Sequence, residues 1–126
     1  MRAAIYVRRS LDDEHQGASL AVQTEEAKRY IAAKAWAHTA EHLFIEDGAS
    51  RAEFSPKKRP ALIAMLNAAK AGAFDVVVLR DESRLGGDML RVGLVIQDLI
   101  DARVRLVYYF SDEEVAPEGA VDRLVV

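Results

Sequence analysis

The sequence predicts an α/β domain of three layers, a mainly parallel central sheet of about four to five strands flanked by helices. Three observations predict it. Four short apolar, β-branched runs alternate with three stretches of helical period, the order expected when helices connect parallel strands. A length of 126 residues fits one domain. Hydrophobic residues make up 51% of the chain, enough for a core that needs neither metals nor disulfides.

The elements follow in order. Ala3 to Arg9 reads as the first strand. Ser19 to Lys34 reads as a helix capped by Ser19, with Leu20, Ala27 and Ile31 on one face. The second strand spans about His42 to Glu46. Pro60 to Ala71 opens with proline in the first helical turn, stops at Gly72 and buries Leu62, Leu66 and Ala69. Asp75 to Arg80 is the third strand. Asp88 caps a third helix reaching Ala102, which presents Val92, Val95, Ile96 and Leu99. Val104 to Phe110 is the fourth strand. Two irregular segments remain, Leu11 to Ala18 and Gly48 to Lys58; loops of this length are either functional or plain connectors. The final PEGAVDRLVV reads as the first turns of a helix, so the sequence is expected to be a fragment.

Composition excludes several classes. With no cysteine there is no disulfide, thiolate zinc site or thiol nucleophile. His38 and His42 would share one face of a helix, but a solvated helix end accounts for them better than a metal site. No stretch approaches the roughly 18 apolar residues of a membrane span, and the N-terminal apolar run is too short for a signal peptide. The expected setting is cytoplasmic. A net charge of −3 argues against a free-standing DNA binder, whose affinity comes largely from phosphate neutralisation. That argument loses force where another region does most of the binding.

Ligands of open parallel sheets sit beyond the carboxyl ends of the strands, which points to Ser10, Asp47 and Arg80 to Arg84. On the first strand Tyr6, Arg8 and Ser10 share a face, setting a guanidinium beside a hydroxyl. Arginine offers a planar donor fork suited to phosphate oxygens, and a serine hydroxyl is a nucleophile only where its surroundings stabilise the developing charge. Read alone, the same residues also fit a core tyrosine, an exposed arginine and a turn-capping serine.

Tyr6-Val7-Arg8-Arg9-Ser10 resembles the nucleophile motif of the serine site-specific recombinases, the resolvase/invertase family. The likeness continues in order. Ser19-Leu20-Ala21-Val22-Gln23 is similar to the family's Ser-Leu-x-x-Gln, which makes Gln23 an active-site polar group. Asp47-Gly48-Ala49-Ser50 resembles the acidic turn after the second strand, with Ser50 in support and Asp47 expected to hold Arg8 or Arg59. Arg59-Pro60-Ala61-Leu62 resembles Arg-Pro-x-Leu and makes Arg59 a phosphate ligand. Phe74 to Val78 followed by Ser83-Arg84-Leu85-Gly86 is similar to the third strand and its arginine-bearing loop. Each residue has a plainer reading: a solvated Gln23, an Asp-Gly turn at Asp47, a solvated basic run at Lys57 to Arg59, and Arg84 paired with Asp81 or Asp88.

The resemblance implies that Ser10 attacks a DNA phosphate to form a 5′-phosphoserine link, with Arg8, Arg59 and Arg84 neutralising the phosphorane and Tyr6 in support. It implies no metal and no cofactor. Double-stranded DNA is the implied partner, and a homodimer that becomes a tetramer the implied assembly; residues 1–126 are the catalytic domain, with the dimer helix and DNA-binding region beyond. Two departures stand out. Ser83 replaces an aspartate that often precedes the matching arginine, and Gly87 stands where a second loop arginine is usual. Losing one donor to a transition-state oxyanion typically costs about 10²–10³ in rate. Arg91, one helical turn on, is a candidate to compensate. The alternatives are a recombinase fold with weak or no catalysis, acting in DNA pairing or regulation, and a small-molecule phosphoryl-transfer or phosphate-binding module. The last lacks any phosphate-binding glycine motif.

Overall fold

The computed structural model describes residues 1–9, 19–47, 59–86 and 89–115. Its order is β1 (Ala3–Arg9), α1 (Leu20–Ala33), β2 (Leu43–Asp47), α2 (Pro60–Lys70), β3 (Val76–Leu79), α3 (Met89–Asp101), β4 (Arg105–Tyr108) and β5 (Glu113–Glu114). Short 3-10 turns at Ala40–His42 and Glu82–Arg84 precede β2 and follow β3. The strands lie in the order β2-β1-β3-β4-β5, with all pairs parallel except β4 with β5.

Every residue of β1 from Ala3 to Arg8 is buried, which requires cover on both faces of the sheet. Alternation divides the strand. Ile5 and Val7 pack with Ala27 and Ile31 of α1, whereas Ala4 and Tyr6 join the larger core built on Leu62 and Met65 of α2 and Ile96 and Leu99 of α3. The anticipated inward faces of α2 and α3 are the buried ones, with Met65 added on α2. Ser19 caps α1, its side chain accepting from the Val22 N–H at 3.1 Å. The Asp88 cap and both irregular segments lie outside the described residues. His38 and His42 do not share a helix: α1 ends at Ala33, His38 Nδ1 meets the Ala3 carbonyl at 2.9 Å, and the His42 ring meets Phe74 edge-on.

This order has one switch point. From β1 the chain passes to a neighbour on one side (β2), and from β2 it returns to the other side of β1 (β3). Ligands bind where the strand order reverses in this way, outside the carboxyl ends. β3 stays paired with β1 only to Ile5 opposite Val78, so β1 runs on past its neighbour and the two ends open a crevice.

Candidate active site

The crevice is filled by side chains from four segments. Arg8 lies one residue before the end of β1, Gln23 lies in the first turns of α1, Arg59 immediately precedes α2, and Arg84 closes the turn after β3. All four are buried, Arg8 and Arg59 completely. The exposed Arg8 and solvated Arg59 of the plainer reading are therefore wrong.

Their hydrogen bonds interlock. Beyond Ile5 the main chain of Arg8 has no β3 neighbour, and the Gln23 amide takes that place. The Arg8 N–H donates to Gln23 Oε1 at 3.3 Å and Gln23 Nε2 donates to the Arg8 carbonyl at 3.0 Å. Arg8 and Arg84 are tied reciprocally: Arg8 Nε donates to the Arg84 carbonyl at 3.0 Å, and Arg84 Nη1 to the Arg8 carbonyl at 2.9 Å. Arg8 Nη2 also donates to the Ser83 carbonyl at 2.7 Å. Arg59 reaches the same turn, Nη2 donating to the Arg84 carbonyl at 2.9 Å and Nη1 to the Leu85 carbonyl at 3.0 Å. Two guanidiniums thus hold the backbone that carries the third.

Tyr6 and Glu46 complete the knot. Arg59 Nη2 and Nε donate to the Tyr6 hydroxyl at 2.7 and 3.2 Å, and that hydroxyl donates to Glu46 Oε1 at 3.3 Å. Burial pushes the Tyr6 hydroxyl far above its ordinary pKa, outweighing the Arg59 charge beside it, so it stays protonated and can donate. Asp81 shapes the turn itself. It accepts from the Ser83 N–H at 3.0 Å and from the Ser83 hydroxyl, and stands 3.9 Å from Arg84 Nε. The pairing of Arg84 with Asp81 and its place beside Arg8 therefore coexist.

A family profile described as the resolvase N-terminal domain matches residues 3–125. The chain belongs to the resolvase family of serine recombinases. No curated protein matches the sequence. Among solved structures, the resolvase domain is similar to the N-terminal catalytic domain of TP901-1 integrase, at 20% identity and TM-score 0.80 over 99% of this chain and 90% of that one. It is also similar to a resolvase family site-specific recombinase from Streptococcus pneumoniae, at 20% identity and TM-score 0.74 over 90% and 75%. A third likeness is to the C-terminal catalytic domain of ISC1926 TnpA, an IS607-like serine recombinase, at 22% identity and TM-score 0.68 over 99% and 76%. At these identities the structures establish the fold of the resolvase domain. Family membership gives its general role, DNA recombination.

Of the residues singled out in the sequence, Arg8, Arg59, Arg84, Gln23, Tyr6 and Ser83 meet in this knot. Ser10, Ser50 and Gly87 lie outside the described residues. Asp47 does not hold Arg8 or Arg59: it is half exposed and pairs with Arg9 at 3.3 Å. Arg91 lies exposed in the first turn of α3, apart in burial from this cluster. The carboxylate that stands beside Arg59 is Glu46, which the sequence reading of the resolvase domain missed. A signal for it exists. Phe44 and Glu46 are two apart on a strand, so a Phe44 that packs inward turns Glu46 inward too.

Proposed function

We propose that this domain breaks and rejoins DNA by serine-mediated transesterification. Ser10 Oγ loses its proton and bonds to a scissile phosphorus; the bond from phosphorus to the 3′ oxygen breaks, and that oxygen leaves as a protonated 3′-hydroxyl. The 5′-phosphoserine link conserves the phosphoester for rejoining by the reverse steps, so no nucleotide cofactor enters. One observation carries the reading. Three guanidiniums from three separate segments converge at the switch point, with Ser10 only two residues beyond Arg8. Cations gathered around a pentacovalent phosphorane supply the electrostatic stabilisation that phosphoryl transfer chiefly requires.

Arg8 and Arg59 are completely buried, their donors directed to the carbonyls of Ser83, Arg84 and Leu85. A phosphate that binds them takes over donors that these carbonyls hold in the structure. In this proposal sequence readout and most affinity belong to a region beyond Val126, consistent with a net charge of −3. The active assembly is a homodimer that becomes a tetramer, and the apolar residues Leu90 and Leu94, about half exposed and four apart on α3, favour association.

A second reading, a recombinase fold with weak catalysis that serves DNA pairing, is favoured by Gly87 in place of an arginine and by the exposed position of Arg91. One experiment separates the two. The full-length protein is incubated with a plasmid carrying the DNA that flanks its gene, quenched, and assayed for a covalent protein–DNA adduct. We expect an adduct that Ser10→Ala abolishes. An adduct formed only by Gly87→Arg would favour the weak-catalysis reading, and an adduct surviving Ser10→Ala would end the nucleophile assignment.

A further inference from the structure

Glu46 is the one buried carboxylate among the described residues, with 3% of its surface exposed, and it lies one position before the exposed Asp47. A buried charge is costly unless paired and hydrogen-bonded, and Glu46 is both. Oε1 accepts from the Leu62 N–H at 3.0 Å and Oε2 from the Ala61 N–H at 3.2 Å, two of the amides that the first turn of a helix leaves unbonded. The residue at the helix cap position, Arg59, makes no side-chain capping bond of its own. Glu46 caps α2 from the neighbouring strand, where the positive end of the helix dipole also favours its charge. Its Oε1 lies 3.7 Å from Arg59 Nε and accepts from the Tyr6 hydroxyl, which in turn accepts from Arg59 Nε and Nη2.

We propose that Glu46 is the positioning residue for Arg59, fixing the guanidinium through the Tyr6 hydroxyl so that its outer nitrogens face the Arg84 turn. This inference rests on the proposed function only in what Arg59 is positioned for. The placement itself follows from geometry. Arg59 has a long, flexible stem, and its direction in a buried site is set by what it is bonded to. Nε and one side of Nη2 are committed to Tyr6, so Nη1 and the remainder of Nη2 point to the carbonyls of Leu85 and Arg84. Glu46 anchors this arrangement to β2 and to the start of α2 at once, so strand, helix and guanidinium keep one register. A carboxylate at position 47 faces Arg9 and cannot serve this purpose.

Capping and positioning are separable by experiment, because they act through different atoms. Glu46→Gln removes the charge and keeps an oxygen for one helix amide. Tyr6→Phe removes the link to Arg59 and leaves both capping bonds intact. Hydrogen exchange at Arg59 Nε–H and at the Ala61 and Leu62 amides is followed by NMR in both variants. In parallel, the single-turnover rate of adduct formation is measured with the full-length protein and saturating plasmid carrying the gene-flanking DNA. We expect Arg59 Nε–H exchange to accelerate at least about tenfold in both variants, with the Leu62 amide unchanged in Tyr6→Phe. We expect adduct formation to slow roughly ten- to a hundred-fold at unchanged DNA affinity, the range typical when a supporting residue behind a functional group is lost. Arg59 exchange within twofold of wild type in Glu46→Gln would overturn the inference, whatever Tyr6→Phe does and whether or not the helix amides lose protection. Absence of an adduct in the wild-type protein counts against the proposed function instead, and the exchange measurement then decides the role of Glu46 alone.

Discussion

Arg59 shows how a buried guanidinium holds separate segments together. It bonds Tyr6, Arg84 and Leu85 and stands beside Glu46, joining β1, β2 and the turn after β3. Arg59→Met should therefore destabilise the domain by about 3–5 kcal/mol in urea unfolding, because it strands the buried Glu46 charge and leaves carbonyls without donors. A smaller isolated pair makes a different prediction. Arg2 holds the Asp75 carboxyl down at about 2, chiefly by a side-chain hydrogen bond and then by one from its backbone, against an ordinary 3.8. Because the folded value is the lower one, the stabilisation is complete above about 3.8 and is lost as pH falls toward 2. Asp75→Asn should lessen the slope of the stability profile across that window, as read by chemical denaturation at each pH, while the depressed Asp112 and Glu114 carboxyls keep part of it. The family motifs make Arg8, Arg59 and Gln23 legible from sequence. Glu46 is signalled only by its alternation with Phe44, because its partners, Tyr6 and the start of α2, are 40 and 16 residues away along the chain.

At the scale of elements, local chemistry sets the ends and tertiary contact sets the rest. Ser19 caps α1, whose early turns carry Gln23 into the crevice, so Ser19→Ala should cost about 1 kcal/mol and also loosen the Arg8 main chain. Amide exchange at Arg8 and Val22 checks both effects together. Past α2, Gly72 has φ +77, and a Cβ built there meets nothing within 4 Å. The cost of Gly72→Ala is then one of backbone conformation alone, about 1 kcal/mol, and a thermal melt should show no sign of repacking. The periodic segments were legible because each carries its own pattern, and the interior faces of α2 and α3 follow it. β5 was not legible. Glu113 and Glu114 have no apolar alternation and form a strand only by pairing with Val107 and Tyr108. The resemblance marks the loop at Ser83 and Arg84, but not that arginines from β1 and from the start of α2 bind its carbonyls.

Across the whole molecule, the order β2-β1-β3 is what makes a site. The alternating sequence implies a parallel sheet but not the order of its strands, because that order depends on which face each helix covers. α1 lies on one face, α2 and α3 on the other, and β1 stays paired with β2 to its end while running on past β3. The cationic residues of the crevice are buried while acidic ones such as Asp47, Glu113 and Glu114 remain exposed, so the net charge of −3 conceals a concentrated positive site. In the proposed reaction this site holds one phosphate for attack by Ser10. The most direct measurement is the single-turnover rate of covalent adduct formation by Arg8→Lys, Arg59→Lys and Arg84→Lys at saturating plasmid DNA. Lysine keeps the charge and loses the fork, so the account predicts a fall of about 10²-fold or more in each, with DNA affinity little changed. Wild-type adduct rates in all three folded variants would contradict it.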